Sequence, residues 1–188
     1  RMQYHALSAA DQAGYDVDLI GFGGSKPCDE VVNHERIRLR MIETLEIPSL
    51  FNKVFFTRAV YKTLVQYWLL LSILLFKIPR PTFILCQNPP AIPLLAVAMI
   101  VSLFRRSKVV IDWHNYGYTW LRVNRPGSSL LVTIYHIYEK IFGKLAHYHL
   151  CVSNAMKVDL AQNWGINASV VHDRPQTFFK RLSPTERH

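Results

Sequence analysis

Residues 108–113, KVVIDW, carry an apolar, β-branched run straight into Asp112, Trp113, His114 and Asn115. Three other short apolar runs end in comparable residues: 16–22 in Gly23 and Gly24, 82–86 in Gln87, Asn88, Pro89 and Pro90, and 148–152 in Ser153 and Asn154. If these runs are parallel strands of one sheet, their trailing residues share the edge at which open α/β sheets bind ligands. Amides and carboxylates hydrogen-bond hydroxyls, and aromatic rings stack on the apolar faces of pyranose rings, so this set suits a sugar. His114 is a candidate general base for a hydroxyl nucleophile, because an imidazole titrates near neutrality. Asp112 could orient it or be the base itself. The plainer alternatives are a structural His114, an Asp112 that caps the next turn, a double proline leading into a helix, and packing roles for Trp113, Tyr116, Tyr118 and Trp120.

Other chemistries lack their signatures. No GxGxxG follows a strand and no GxxxxGK[ST] is present, so dinucleotide and P-loop phosphate cradles are missing. No GxSxG elbow occurs either. Cys28, Cys86 and Cys151 are odd in number and widely spaced, which points to reduced thiols rather than a disulfide framework or a zinc site. His5, His136, His147, His149 and His172 have no metal-ligand spacing and read as surface or packing residues.

The chain has 188 residues, enough for one domain with a hydrophobic core. Its 22 basic residues against 13 acids give a net charge of +9, which draws it to phosphate groups. Apolar residues make up 50% and charged ones 19%, a balance that tilts from nucleic acid toward a membrane surface. Aromatic and basic residues are not interleaved as single-strand binding requires.

The elements that must position the candidate residues alternate between strand and helix, which argues for a parallel sheet covered on both faces. Strands are expected at 16–24, 37–42, 82–87, 108–113 and 148–153. A helix from residue 2 should end at Gly14, and another should start at Ser153 as N-cap and stop at Gly165. In 128–148, Leu130, Ile134, Ile137, Ile141 and Leu145 recur at helical spacing and lay one apolar stripe along a helix. A doubly wound sheet normally begins with a strand that feeds its first helix, so the central strand is expected to lie upstream of Arg1.

Two segments are unusually apolar. Residues 64–78, LVQYWLLLSILLFKI, are apolar nearly all round with basic residues on both sides, too short to cross a bilayer comfortably. They read either as an in-plane membrane helix, with the membrane surface contacted through 64–80, or as a helix buried between the sheet and another domain. Residues 91–104 read as a sheet-covering helix.

The blocks RMQYHALSAA, FGGS, QNPPAIPLL, VVIDWHNYGYT, YEKIFGKLAHYHLCVSNAMKVDL and NWGI followed by DRPQTFF occur in one order. In that order they resemble the N-terminal half of the chitobiosyldiphosphodolichol beta-mannosyltransferases. The resemblance implies a GT-B glycosyltransferase, two Rossmann-like domains across a cleft. This chain would be the acceptor-binding domain over 1–172, lacking its first strand, with an interdomain linker starting at 173–188 and the donor domain outside the chain. It implies transfer of mannose from GDP-mannose to GlcNAc2-diphosphate-dolichol with inversion, on the cytosolic face of the endoplasmic reticulum membrane. The family's first strand, its glycine-containing loop and its membrane anchor would precede Arg1, so the fragment alone is expected to be inactive.

On this resemblance the catalytic candidates are His114, Asp112 and Glu139, although Glu139 by itself reads more simply as a solvated helix residue. Acceptor contacts are expected from Arg1, Gln87, Asn88, Trp113, Asn115 and Tyr116, with Arg1 and the first helix facing the acceptor diphosphate. No cofactor or metal is expected on this half, GDP-mannose being the donor of the complete enzyme. The implied partners are dolichol-diphosphate-linked chitobiose, the membrane surface and other glycosyltransferases of the pathway, with no nucleic acid. Two alternatives stay open: a membrane-associated, non-catalytic acceptor-binding subunit of a two-chain transferase, and a GT-B transferase using a UDP-sugar.

Overall fold

A computed structural model describes residues 1–24, 26–43, 55–125 and 127–173. The expected linker lies almost wholly outside the described residues. In chain order the elements are α1 (Met2–Asp11), β1 (Val17–Phe22), α2 (Asp29–Val32), β2 (Ile37–Ile42), α3 (Phe55–Ser72), β3 (Phe83–Asn88), α4 (Leu94–Arg105), β4 (Lys108–Trp113), α5 (Gly117–Asn124), α6 (Ser129–Leu145), β5 (Tyr148–Cys151), α7 (Asn154–Asp159) and β6 (Ser169–Val170). Single π-helical turns extend α3 through Ile73–Lys77 and α7 through Leu160–Trp164.

All pairings among the described strands are parallel, as the alternation of strands and helices requires. The strands form two sheets, β1-β2 and β3-β4-β5-β6. The break between the two sheets has β1 near β3, since Tyr15 just before β1 meets Phe83 at the start of β3. The Tyr15 and Phe83 ring centroids are 6.2 Å apart across it, and Phe83 in turn meets Tyr148 of its own sheet at 6.5 Å.

Register decides what each strand end presents. Gln87 pairs with Asp112 and Asn88 with Trp113, so the first pair lies on one face of the sheet and the second pair on the other. The Asp112 face meets α1, while the Trp113 face meets α6. The main core lies on the Trp113 side, where Leu95, Val97, Val101, Val109 and Ile111 are completely buried. Burying each such side chain contributes about 1.5–3 kcal/mol. A smaller core of Ala6, Ala10, Val31 and Ile37 joins α1 and α2 to the β1-β2 sheet.

Helix ends follow the sequence signals. The Ser153 hydroxyl accepts from the Met156 amide at 3.2 Å, and Gly165 ends the extended helix at a φ of 67°, a left-handed conformation that glycine adopts without strain. α4 buries Leu95, Val97, Ala98, Met99 and Val101 and covers the sheet, as read from 91–104, while Leu103 and Phe104 near its C-terminus are exposed.

The 64–78 segment divides its two readings between its two sides. Leu70, Ile73, Leu74 and Ile78 enter the main core, whereas Leu64, Trp68 and Phe76 stand exposed. By length and composition, Thr57–Lys77 is apolar enough to cross a membrane. α6 differs from the usual amphipathic core helix. It buries Val132, Glu139 and Gly143 and packs Tyr135, Tyr138 and Phe142 on the core, while the Leu130 to Leu145 stripe faces outward.

Candidate functional site

Asp112 ends β4 wholly buried on the α1 face. The Arg1 guanidinium grips it with two bonds, Nε to Oδ2 at 2.5 Å and Nη2 to Oδ1 at 2.9 Å, and His5 Nε2 lies 3.0 Å from Oδ2. Arg1 and His5 are one helical turn apart on α1, so one helix face delivers both. Burial pushes the Asp112 carboxyl up, but hydrogen bonds from His5 and Arg1 and the Arg1 charge outweigh it and hold the pKa at about 2. Asp112 is therefore an ionised carboxylate with both oxygens occupied, an arrangement suited to anchoring α1 rather than to taking a proton.

Arg1 also bonds Asp173 through Nη1 and the Val171 carbonyl through Nη2 at 3.2 Å. Its guanidinium is spent on protein partners, and it does not project from the helix start as a free cation for a diphosphate. His5, read from sequence as a surface or packing residue, is instead a polar partner of the buried acid.

His114 follows directly in the chain. Its amide donates to the Asn88 carbonyl at 2.9 Å, which fixes the backbone at the strand end. Nδ1 is buried without a hydrogen-bond partner and lies 3.5 Å from Asp173 Oδ2, while the side chain as a whole is 38% exposed. The exposure therefore belongs to the side chain outside Nδ1. Asp173 thus sits between the Arg1 guanidinium and His114.

On the opposite face, Glu139 of α6 is completely buried, so the expectation of a solvated glutamate is incorrect. The reason is its set of donors. Oε1 accepts from Asn88 Nδ2 at 2.5 Å and from the Gly117 amide at 2.7 Å, and Oε2 accepts from the Tyr118 amide at 3.1 Å. The carboxylate caps the N-terminus of α5, where free N–H groups and the helix dipole favour an anion. Burial raises its pKa, opposed by the bonds from Asn88, Gly117 and Tyr118. Gly117 is required here, since a Cβ would stand 2.5 Å from a ring carbon of Tyr135.

The expected acceptor contacts divide between surface and interior. Asn88 is completely buried and ties Glu139 to the Asn115 carbonyl, 3.2 Å from its Nδ2; its Oδ1 has no partner. Trp113 is also completely buried, donating Nε1–H to His149 Nδ1 at 3.2 Å and packing against Gly143 and Trp164. It is a core residue, since β4 turns it toward α6. Tyr116 stacks on Trp164 with centroids 5.1 Å apart and donates its hydroxyl to Asp159; burial, then that bond, raise its pKa. Gln87 is half-buried beside Asp112 and Asn115 is exposed.

Sequence reasoning missed Asp173, Gly117 and the structural part of His5. The four-residue spacing of Arg1 and His5 could have revealed the last, whereas Asp173 offers no local signal. A shallow hollow of about 440 Å³ lined by Phe83, Val110, Tyr148 and Ser169 lies toward the amino ends of the strands, away from these residues. Among the described residues, no group of three or more His, Cys, Asp or Glu is placed to hold a metal ion. Burial pushes the Cys86 thiol up to about 12, so it is inert, as a core cysteine should be.

The model of Glycosyltransferase Family 4 matches residues 1–173. The chain belongs to this family. Its similarity to individual members extends over nearly its whole length. It is 43% identical to the chitobiosyldiphosphodolichol beta-mannosyltransferase of Homo sapiens over 96% of the chain and 38% of that protein. The enzyme of that name from Yarrowia lipolytica is 39% identical, over 100% of the chain and 41% of that protein. A protein of Arabidopsis thaliana named UDP-glycosyltransferase TURAN is 41% identical, again over 100% of the chain and 41% of that protein. The chain thus spans about two fifths of the length of the curated relatives it matches. No solved structure matches. The parallel α/β architecture agrees with the Rossmann-like N-terminal domain of a GT-B family member.

Proposed function

We propose that this chain is the acceptor-side domain of an inverting glycosyltransferase that moves mannose from GDP-mannose to GlcNAc2-diphosphate-dolichol in a beta-1,4 linkage. The observation that carries this reading is the near full-length similarity to proteins named chitobiosyldiphosphodolichol beta-mannosyltransferase. Residues 1–172 form the acceptor domain, 173–188 begin the linker, and the donor nucleotide is held by a second domain. The enzyme works at the cytosolic face of the endoplasmic reticulum membrane, with the exposed side of 64–80 toward the lipid, alongside other glycosyltransferases of the pathway.

In the proposed reaction the acceptor hydroxyl attacks the anomeric carbon in line, the bond to the GDP oxygen breaks, and the hydroxyl proton passes to His114. Asp112 and Glu139 have their oxygens occupied by protein donors, while His114 offers a partly exposed ring whose Nδ1 side faces Asp173. A carboxylate on one side of an imidazole orients it and stabilises the cation formed when the other nitrogen takes a proton. Glu139 and Asn88 act as positioning residues for the 114–118 segment, and Gln87, Asn115 and Tyr116 stand nearest to the acceptor sugars.

The test follows mannose transfer from GDP-mannose to a GlcNAc2-diphosphate lipid by the full gene product and by its His114→Ala variant. Transfer by the wild type with a loss of about 10²-fold or more in the variant is expected for a general base. An undiminished variant would move the base elsewhere, and a folded wild type that transfers nothing would remove the reading. A UDP-sugar donor is the second reading, favoured by the name of the Arabidopsis relative; transfer from UDP-sugars but not GDP-mannose would establish it.

A further inference from the structure

The outward face of α6 has no covering element among the described residues. Leu130, Ile134, Ile137, Ile141 and Leu145 are each between 51% and 71% exposed. At 1.5 Å per residue the stripe runs about 22 Å along the helix. Such a row of bare Leu and Ile is not the scattered surface hydrophobe of ordinary proteins. On α5, which packs beside α6, Trp120 and Val123 are also exposed.

The exposed charges on α5 and α6 have one sign. From Gly117 to Leu145 the charged residues are Arg122, Arg125, Lys140, Lys144 and Glu139, and the single acid is buried. Lys140 and Lys144 stand on α6 between stripe positions. An apolar stripe flanked on its own helix by Lys140 and Lys144, beside a helix that exposes a tryptophan, has the build of a helix that lies in the interface of an anionic bilayer. Lysine stems can lie along the acyl boundary while their ammonium groups reach the headgroups.

We propose that α6, with the exposed edge of α5, docks on an anionic lipid surface, as a second membrane contact separate from the 64–80 segment. A second copy of the chain fits this face less well. In a two-fold contact along α6, Lys140 and Lys144 would meet their own counterparts with no exposed acid on α5 or α6 to offset them. The inference gains its context from the proposed lipid-linked acceptor, but its test needs no sugar transfer.

The full gene product is labelled with an environment-sensitive fluorophore at Ile137→Cys, and separately at Asn167→Cys, an exposed control site, both in a Cys28→Ser background. Each is mixed with phosphatidylcholine vesicles and with phosphatidylcholine–phosphatidylserine vesicles. The label at 137 should shift to the blue on the anionic vesicles, weaken with salt, and leave the label at 167 unchanged. The variant Ile137→Glu/Ile141→Glu should lose about tenfold or more in binding to the same vesicles, with an unchanged melting curve because both positions are exposed. No shift at 137, or equal shifts at 137 and 167, overturns the proposal. So does a 137 shift that needs no vesicles and disappears on dilution, which assigns the face to a second copy. Docking without mannose transfer would leave this inference standing and remove the catalytic reading; transfer to a soluble acceptor without the shift would do the reverse.

Discussion

Asp112 and Glu139 are both completely buried, stand at the same end of the sheet on opposite faces, and are stabilised in opposite ways. Asp112 is matched by charge: a guanidinium and an imidazole from α1 close around it, and its pKa falls to about 2. Glu139 is matched by dipoles: two main-chain amides and one side-chain amide point at it, and burial still raises its pKa. Neutral donors stabilise a buried anion less completely than a paired cation does. The difference assigns different tasks. The charged pair ties a helix to a strand, while the amide cage shapes a loop and starts a helix. Between the two, at the strand edge, stands His114, with a carboxylate facing one nitrogen.

The largest effect should come from breaking the charged side. Asp112→Ala leaves the Arg1 guanidinium, 13% exposed, with Asp173 as its one anionic partner among the described residues. Removing one partner of a buried pair costs about 3–5 kcal/mol. Chemical denaturation of the full gene product should show that loss, and Asp112→Asn should recover only part of it. A loss below about 1 kcal/mol, the value of an exposed pair, would mean that solvent reaches the cluster and that the two carboxylates are not distinct.

Next in size is the acid titration, in which the two groups should act with opposite sign. The folded pKa of Asp112 is depressed, so its contribution is complete above the unfolded value of about 3.9 and is lost as pH falls toward about 2. The folded pKa of Glu139 is raised, so its contribution is greatest below the unfolded value of about 4.3 and is lost as pH rises through the folded value. Melting curves of Glu139→Gln should therefore lack a component of wild-type stability that grows on acidification from neutrality to about pH 4.3. At neutral pH the same variant should cost about 1–3 kcal/mol, since the amide turns a donor toward donors. Identical pH slopes for wild type and Glu139→Gln would contradict the amide-cage account.

Most of the frame was legible in the sequence because it rests on local signals. Apolar runs of strand length, Ser153 and Gly165 at the ends of one helix, and the strand-end position of Asp112 to Asn115 all required no tertiary knowledge. The site was legible only as a place. Alternation along β4 places Asp112 and Trp113 on opposite faces, but not which face meets α1, so Trp113 read as a sugar contact although it fills the core. Glu139 read as solvated because its partners are the amides of Gly117 and Tyr118, and main-chain donors leave no trace in composition. For α6 periodicity located the stripe and the helix but not what the stripe faces. Its Leu and Ile stripe has the spacing of a core face, yet the core is filled by tyrosines, a phenylalanine, a glycine and the buried acid on the other side. Hydrophobic period locates a face without stating what covers it.

The smallest effect separates the two side chains of α1 and its start that serve Asp112, Arg1 and His5. His5 contributes one bond, at 3.0 Å to an oxygen that Arg1 also holds, and its side chain is 20% exposed. His5→Ala should cost about 1 kcal/mol, the net value of one hydrogen bond. It should also raise the pH at which Asp112 loses its contribution, because one of the interactions that depress its pKa is removed. In a double-mutant cycle, the His5→Ala effect should largely vanish in the Asp112→Ala background, giving a coupling of about 0.5–1 kcal/mol. A His5→Ala loss that persists in that background would instead place its value in the packing of α1, where Ala6 beside it is already buried in the smaller core. The charged cluster would then reduce to the Arg1–Asp112 pair, and the contrast with Glu139 would rest on one guanidinium.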